Sequence, residues 1–280
     1  MGTERKKAFI YLVITAVLWS IGGLFVKLVD WHPMAIAGAR SGIAALIIRL
    51  YLKKPLTKPI GKLKLLGACA YAALVILFVI ANKLTTAANA ILLQFTAPIW
   101  VALFSGCFLK EKSQKSDWIA IAVIMFGMVL FFVGDFGNGN MIGNLVAVLS
   151  GIAMAAMVIL LKLQGSDSPV EVSLLGNLFA FAVGLPFFFL SVPSLSSVSG
   201  LVILGVLQLG IPYIFYTAAI KHVTAIEAIL IPIIEPLLNP VWVFLVTGES
   251  PGVYAFAGGT IVITTIIIRG VYQSRSSVAE

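Results

Sequence analysis

The sequence predicts an all-α integral membrane protein whose ten transmembrane helices form two inverted five-helix repeats. Three observations carry this. Of 280 residues, 60% are hydrophobic and only 11% are charged, against about 25% charged in an average soluble domain. The apolar runs are about 20 residues long, the length that crosses a bilayer as a helix. The second half of the chain also repeats the first at a fixed offset. An ordinary soluble globular protein is excluded by the charge depletion. An outer-membrane barrel, built from alternating strands of about ten residues, is excluded by the run length.

The runs fall at 8–29, 33–52, 63–83, 86–109, 117–134, 141–163, 170–191, 199–220, 224–247 and 252–272. The first follows a basic stretch, Met1 to Lys7, and is too long for a cleaved signal, so it is expected to be a retained helix. Asp30-Trp31-His32-Pro33 breaks the chain before the second, which carries Gly38 and Gly42 at a spacing that permits close helix contact. Lys53-Lys54-Pro55 precedes the third. Thr86-Ala87-Ala88-Asn89 opens the fourth with a weak capping pattern, making Asn89 a cap or gate candidate. The fifth ends in the turn from Gly134 to Asn140, where the sixth begins. Gly165 to Pro169 and Val192 to Ser199 bound the seventh. The ninth starts on Thr224-Ala225-Ile226-Glu227, a capping box whose Glu227 is read as a helix cap or a cytoplasmic gate. Gly248 to Gly252 precedes the last.

Orientation follows from the cations. Sixteen of the nineteen Lys and Arg residues fall in alternate loops or nearby helix ends, whereas Lys27 and Lys83 fall on the other side and Arg40 within a span. Both termini are therefore expected in the cytoplasm. The positive charge belongs to loops, and no nucleic-acid partner is implied. Cys69 and Cys107 lie inside apolar runs, where they read as small packing residues without disulfide or zinc spacing.

At an offset of 138, Leu66, Gly67, Ala81, Lys83, Thr86, Ala87, Ala90, Ile91, Leu92, Pro98 and Glu111 recur as Leu204, Gly205, Ala219, Lys221, Thr224, Ala225, Ala228, Ile229, Leu230, Pro236 and Glu249. Lys, Pro and Glu are rare here, so their matches weigh most. A second register near 135 pairs Lys27 with Lys162. The units are 1–139 and 140–280. Five spans per unit invert the second copy across the membrane, the construction used by many secondary transporters.

At these residues the chain resembles the EamA-type members of the drug/metabolite transporter superfamily. The likeness rests on Ala16-Val17-Leu18-Trp19-Ser20 with Lys27, Ala39-Arg40, Pro98 with Glu111, and Pro236 with Gly248-Glu249, and it spans the whole chain. It departs at Met154, where the family often has an aromatic residue, and at Lys110, where Gly is usual. The resemblance implies ten helices in two halves and a central cavity formed mainly by helices 1, 3, 4, 6, 8 and 9.

Ionisable groups within a span are expensive and face a cavity or a partner. Glu235 lies mid-span in the ninth helix among Pro232, Pro236, Asn239 and Pro240; with Pro98, these prolines are candidate helix breaks. It reads either as a site for a coupling proton or cation, or as a buried carboxyl held neutral. Arg40 is expected to serve structure, snorkelling outward or pairing with Asp30, or to act with the gate and cap candidates. Gln208, Tyr213 and Tyr216 of the eighth helix, with Trp19, Asn82, Gln94 and Trp100, are candidate cavity residues, although each aromatic could equally pack or face lipid. An intramembrane enzyme would need a nucleophile with a base or a metal cluster, and the two histidines, His32 and His222, sit at opposite faces. The expectation is an inner-membrane carrier exporting an amino acid, amine or aromatic metabolite by alternating access. Its partners are lipid and substrate, with protons as coupling ion and no cofactor or metal. An uncoupled facilitator or channel-like permease is the alternative.

Overall fold

The computed structural model describes residues 3–53, 60–111, 113–133, 140–164, 168–238 and 252–276. Among them all regular structure is helical: α1 (Thr3–Leu28), α2 (Pro33–Leu52), α3 (Lys62–Leu84), α4 (Ala87–Phe108), α5 (Lys115–Phe131), α6 (Met141–Leu163), α7 (Pro169–Phe189), α8 (Leu195–His222), α9 (Ala225–Leu230, continuing through a 3-10 turn at Ile231–Ile233 to residue 238) and α10 (Val253–Ser276). Eight of these are long and apolar enough to cross a membrane. Asn239, Pro240, Trp242, Gly248, Glu249 and the turn from Gly134 to Asn138 lie outside the described residues.

Several helices are interrupted where a continuous run was expected, for identifiable reasons. In α1 the helix breaks at Ser20–Ile21 before the pair Gly22-Gly23, residues of poor helix propensity. In α4 it breaks at Phe95–Thr96, and Pro98 sits in the first turn of the following segment, where its missing N–H costs nothing. In α8 the stretch Leu204–Gly210 widens into a π-helix. Pro212 explains this, because it cannot donate to the carbonyl four residues earlier and the preceding turn opens. Pro232 lies in the 3-10 turn of α9, whereas the helix runs on through Pro236 to residue 238.

α3 packs along α6 and α7, α2 along α7 and α8, α1 along α8, and α4 along α6, while α5 packs on α10. Small residues set the spacing. A Cβ added to Gly184 of α7 would lie 2.6 Å from Gly38 Cα of α2, and one on Gly42 would meet Phe181 at 2.7 Å, so the Gly38/Gly42 pair receives α7. Gly184→Val should lower the thermal midpoint in detergent by the equivalent of about 1–3 kcal/mol through overpacking. Gly106→Val, at a position with open space around it, serves as the matched control and should shift it far less.

Large apolar side chains such as Ile10, Leu46, Leu66, Phe104, Phe126 and Ile268 are exposed on the bundle surface, as lipid contact requires. Cys69 and Cys107 are exposed too and do not pack into the core as expected. Lys110 lies in the left-handed region at φ 58°, a conformation glycine adopts without steric cost. The departure from Gly noted in the sequence therefore carries backbone strain.

Candidate functional site

The site is a small cavity at the centre of the bundle, lined by Trp19 of α1, Arg40 of α2, Leu74, Val75 and Phe78 of α3, Gln94 of α4, Met154 of α6, Gln208, Leu209 and Tyr213 of α8, and Glu235 of α9. The space open to the centres of water molecules is about 30 Å³, room for about two waters. A metabolite fits only if helices move apart.

Arg40 is placed here against expectation. It neither snorkels nor meets Asp30, whose backbone N–H donates to Ser197 Oγ at 3.0 Å. Arg40 is 1% exposed, and its guanidinium donates to Gln208 Oε1 at 2.9 Å and to the Val75 carbonyl at 2.8 Å. It also lies 5.8 Å from the Phe78 ring centroid, within cation–π range. Its Nε is buried without a partner, and no ion pair reaches it among the described residues. The wide turn of α8 explains the contact. Gly205 and Gly210 lie against Ile43 and Ile47 of α2, so close that a Cβ on Gly205 would fall 2.5 Å from Ile43 Cβ, and this approach carries Gln208 to Arg40. Gly22 completes the fit, since a Cβ there would strike the Gln208 amide at 2.9 Å. A lone buried guanidinium costs several kcal/mol unless an anion answers it.

Glu235 lines the same cavity and is 7% exposed, with no hydrogen-bond or ion-pair partner among the described residues. Tyr213 lines the cavity together with Glu235 and Arg40. An aromatic wall completes the site. Trp19 packs against Tyr213 and Tyr216 at ring-centroid distances of 5.2 and 5.4 Å, and Tyr213 meets Tyr71 edge-on at 4.5 Å. The Trp19 Nε1 and Tyr216 hydroxyl are buried and have no hydrogen-bond partner among the described residues. Gln94 Nε2 donates to Ser150 Oγ at 2.7 Å.

Three candidates do not line the cavity: Tyr216, which packs against Trp19, and Asn82 and Trp100. Asn82 is buried one turn beyond Phe78, donating to the Phe78 carbonyl at 3.2 Å, with no partner for its Oδ1 among the described residues. Trp100 lies on an apolar groove with Phe104, Phe108 and Ile159, because it is on the side of α4 away from the cavity. Sequence reasoning missed Tyr71, whose hydroxyl accepts from Asn177 Nδ2 at 2.8 Å. The offset of 138 held the signal for Leu74 and Val75, which match Pro212 and Tyr213. Met154 and Trp19 correspond at 135, and both line the cavity.

One contact recurs at matching positions of the two halves. Lys27 Nζ at the end of α1 donates to the Thr85 carbonyl before α4 at 2.8 Å. Lys162 Nζ at the end of α6 donates to the Val223 carbonyl before α9 at 2.6 Å. Each carbonyl precedes a capping threonine: Asn89 N–H donates to Thr86 Oγ1 at 3.1 Å, and Glu227 N–H to Thr224 Oγ1 at 3.2 Å. Glu227 closes its capping box through the Thr224 N–H at 2.8 Å and also takes Arg5 at 2.6 Å. Asn89 lacks the charge and makes only a 3.4 Å contact to Thr85 Oγ1. The left-handed turn at Lys110 delivers Glu111, which pairs with Lys162 at 3.3 Å and accepts from Ala225 N–H at 3.0 Å at the positive end of α9. Lys64–Glu171 and Arg269–Asp117, at 2.7 and 2.8 Å, add further ion pairs. The Lys27 end instead uses Lys83 Nζ on the Val29 carbonyl at 2.6 Å.

Known proteins place this arrangement. The profile of the EamA-like transporter family matches twice, over residues 6–133 and 141–270. The uncharacterized transporter YdfC of Bacillus subtilis (strain 168) is 28% identical over 261 residues, covering 88% of this chain and 85% of its own. The pseudopaline exporter CntI of Pseudomonas aeruginosa (strain UCBPP-PA14) is 25% identical over 184 residues, 64% of each chain. Human solute carrier family 35 member G1 is 26% identical over 176 residues, 56% of this chain and 48% of its own. A crystal structure of a protein at 16% identity superposes with a TM-score of 0.79 over 92% of this chain and 96% of that one, a likeness of fold.

Proposed function

Because the chain belongs to the EamA-like transporter family and is a multi-pass membrane transporter, we propose that it is a secondary carrier exporting a small organic metabolite, an amino acid, amine or aromatic compound, across an inner membrane. Two inverted five-helix halves, 1–139 and 140–280, work by alternating access with both termini in the cytoplasm. The observation that carries this reading is the pair of equivalent lysine contacts, Lys27 on Thr85 and Lys162 on Val223, at matching positions of the two halves; in this reading they close opposite ends of the central cavity. A repeat that places one sequence pattern at both ends lets either end open while its counterpart stays shut. The four ion pairs of Arg5, Lys64, Lys162 and Arg269 draw their cations from those the sequence assigns to its positive side, which supports reading the Lys162 end as the cytoplasmic one. The name of the Pseudomonas aeruginosa relative, an exporter, supports the outward direction. Glu235 is the residue that would exchange a proton with the substrate and couple export to the proton gradient.

The test separates a carrier from an uncoupled channel without a known substrate. A single cysteine replaces Leu74 in a background where Cys69 and Cys107 are serine, and an impermeant maleimide is applied to either face of sealed vesicles. Lys27→Met should raise labelling from the Lys27 face and lower it from the opposite face, and Lys162→Met should do the reverse. Labelling that rises on one face and stays constant on the other would indicate a permeation path without alternation.

A further inference from the structure

A second cavity lies outside the central site. It is an apolar groove on the flank of the bundle, between α6 and the second segment of α4 (Ala97–Phe108), where the space open to the centres of water molecules is about 260 Å³. No charged residue lines it. Trp100, Phe104 and Phe108 form one wall, and α6 forms the other from Ile152 to Leu163, with Ala155 and Ala156 leaving room between them. Phe104 and Phe108 are exposed, so the groove opens on the surface that meets lipid. At about 1.5 Å per residue it runs about 12 Å along α4 and about 16 Å along α6. Half the hydrocarbon thickness of a bilayer is about 15 Å. The groove therefore has the depth of one leaflet.

The two ends of the groove differ in chemistry. At one end the polar atom of Trp100 is taken up within its own helix, Nε1 donating to Thr96 Oγ1 at 3.4 Å. At the other end α4 stops at Phe108, and two residues on stands Lys110, exposed and in no ion pair among the described residues. Its neighbour Glu111 is engaged by Lys162 and the Ala225 N–H instead. Resting on the orientation proposed above, which puts the ends of α4 and α6 at the cytoplasmic face, we propose that the groove binds an anionic phospholipid of that leaflet. One acyl chain lies along α4 and α6, and the phosphate meets Lys110. Because lipid tails are as apolar as the groove, hydrophobicity alone does not select an occupant. Shape holds the chain, and headgroup charge makes the choice. An anionic headgroup is drawn to a lysine at the membrane surface, whereas a zwitterionic one brings a cation of its own that offsets the attraction.

The indole of Trp100 reports on the groove. Purified full-length protein is reconstituted in equimolar phosphatidylglycerol and phosphatidylcholine, with bromine on the acyl chains of one lipid or the other, and the quenching that disappears in Trp100→Phe is that of Trp100. Brominated phosphatidylglycerol should quench Trp100 at least twofold more than brominated phosphatidylcholine. Lys110→Gln should remove at least half of that excess. Lys53→Gln, at the end of α2 and in the same left-handed conformation, should leave it unchanged. Equal quenching by the two lipids would mean contact without selection, and quenching by neither would mean that protein, such as a second copy of the chain, covers the groove. An excess that survives Lys110→Gln intact would put the selecting charge elsewhere. Each of these results overturns the proposal. Reciprocal labelling of the Leu74 cysteine does not involve the groove, so the carrier reading stands or falls separately.

Discussion

Arg40→Gln abolishes saturable substrate exchange, by about 100-fold or more, while leaving the protein as stable in detergent as the wild type or more so. The two halves of this expectation come from the same fact. A hydrogen bond to a charged group contributes about 1.5–3 kcal/mol, and each 1.4 kcal/mol is tenfold, so losing two guanidinium contacts to a bound substrate costs about two decades or more. Stability moves the other way. Arg40 is buried without a carboxylate partner, and an uncompensated buried charge opposes folding. The glutamine retains one amide donor for the Gln208 or Val75 oxygen. Arg40→Lys should recover part of the exchange, since it keeps the charge and loses the fork. Initial exchange rates in liposomes and a thermal melt on the same preparation check both halves. A parallel fall in midpoint and rate would make Arg40 a structural residue.

Glu235→Gln loses the response to a pH gradient. If one proton exchanges per substrate, each pH unit supplies about 1.4 kcal/mol and drives about tenfold accumulation at most. The glutamine is isosteric and cannot bind or release that proton, so accumulation under a gradient falls to the level seen at equal pH. Exchange without a gradient continues at a reduced rate. Reconstituted protein with and without an imposed gradient gives the answer, and a variant that still accumulates substrate with the wild-type gradient dependence removes Glu235 from the coupling step.

The architecture was largely legible in the chain because it depends on bulk properties. Run length against bilayer thickness located the helices from α1 to α8 within about five residues, since the cost of exposing backbone to lipid leaves no alternative. The recurrence of Lys, Thr and Pro at fixed offsets pointed to positions whose contacts also recur, as with Lys27 on Thr85 and Lys162 on Val223. The interruptions were harder to read. The wide turn at Leu204–Gly210 follows from one missing N–H at Pro212, yet whether a helix kinks, widens or absorbs such a defect depends on the neighbour it packs against.

The cavity was legible only in part. Trp19, Gln94, Gln208, Tyr213 and Glu235 stand out as polar or aromatic residues in apolar runs, and the structure brings them together. Trp100 has the same credentials and sits on an apolar groove instead, because periodicity gives a helix its faces without saying which face meets which neighbour. Arg40 illustrates this most clearly. Its depth within α2 permitted snorkelling or a pair with Asp30, and both are local solutions. What decided otherwise was the glycine contact of α8 with α2, through Gly205 and Gly210 on Ile43 and Ile47, a relation between residues more than 150 positions apart. By itself, then, the sequence determined that this chain lives in a membrane and which positions repeat, since solvation and periodicity act along the chain. Only the tertiary structure decided that Arg40 and Glu235 share a cavity without pairing, because that depends on how closely helices approach one another.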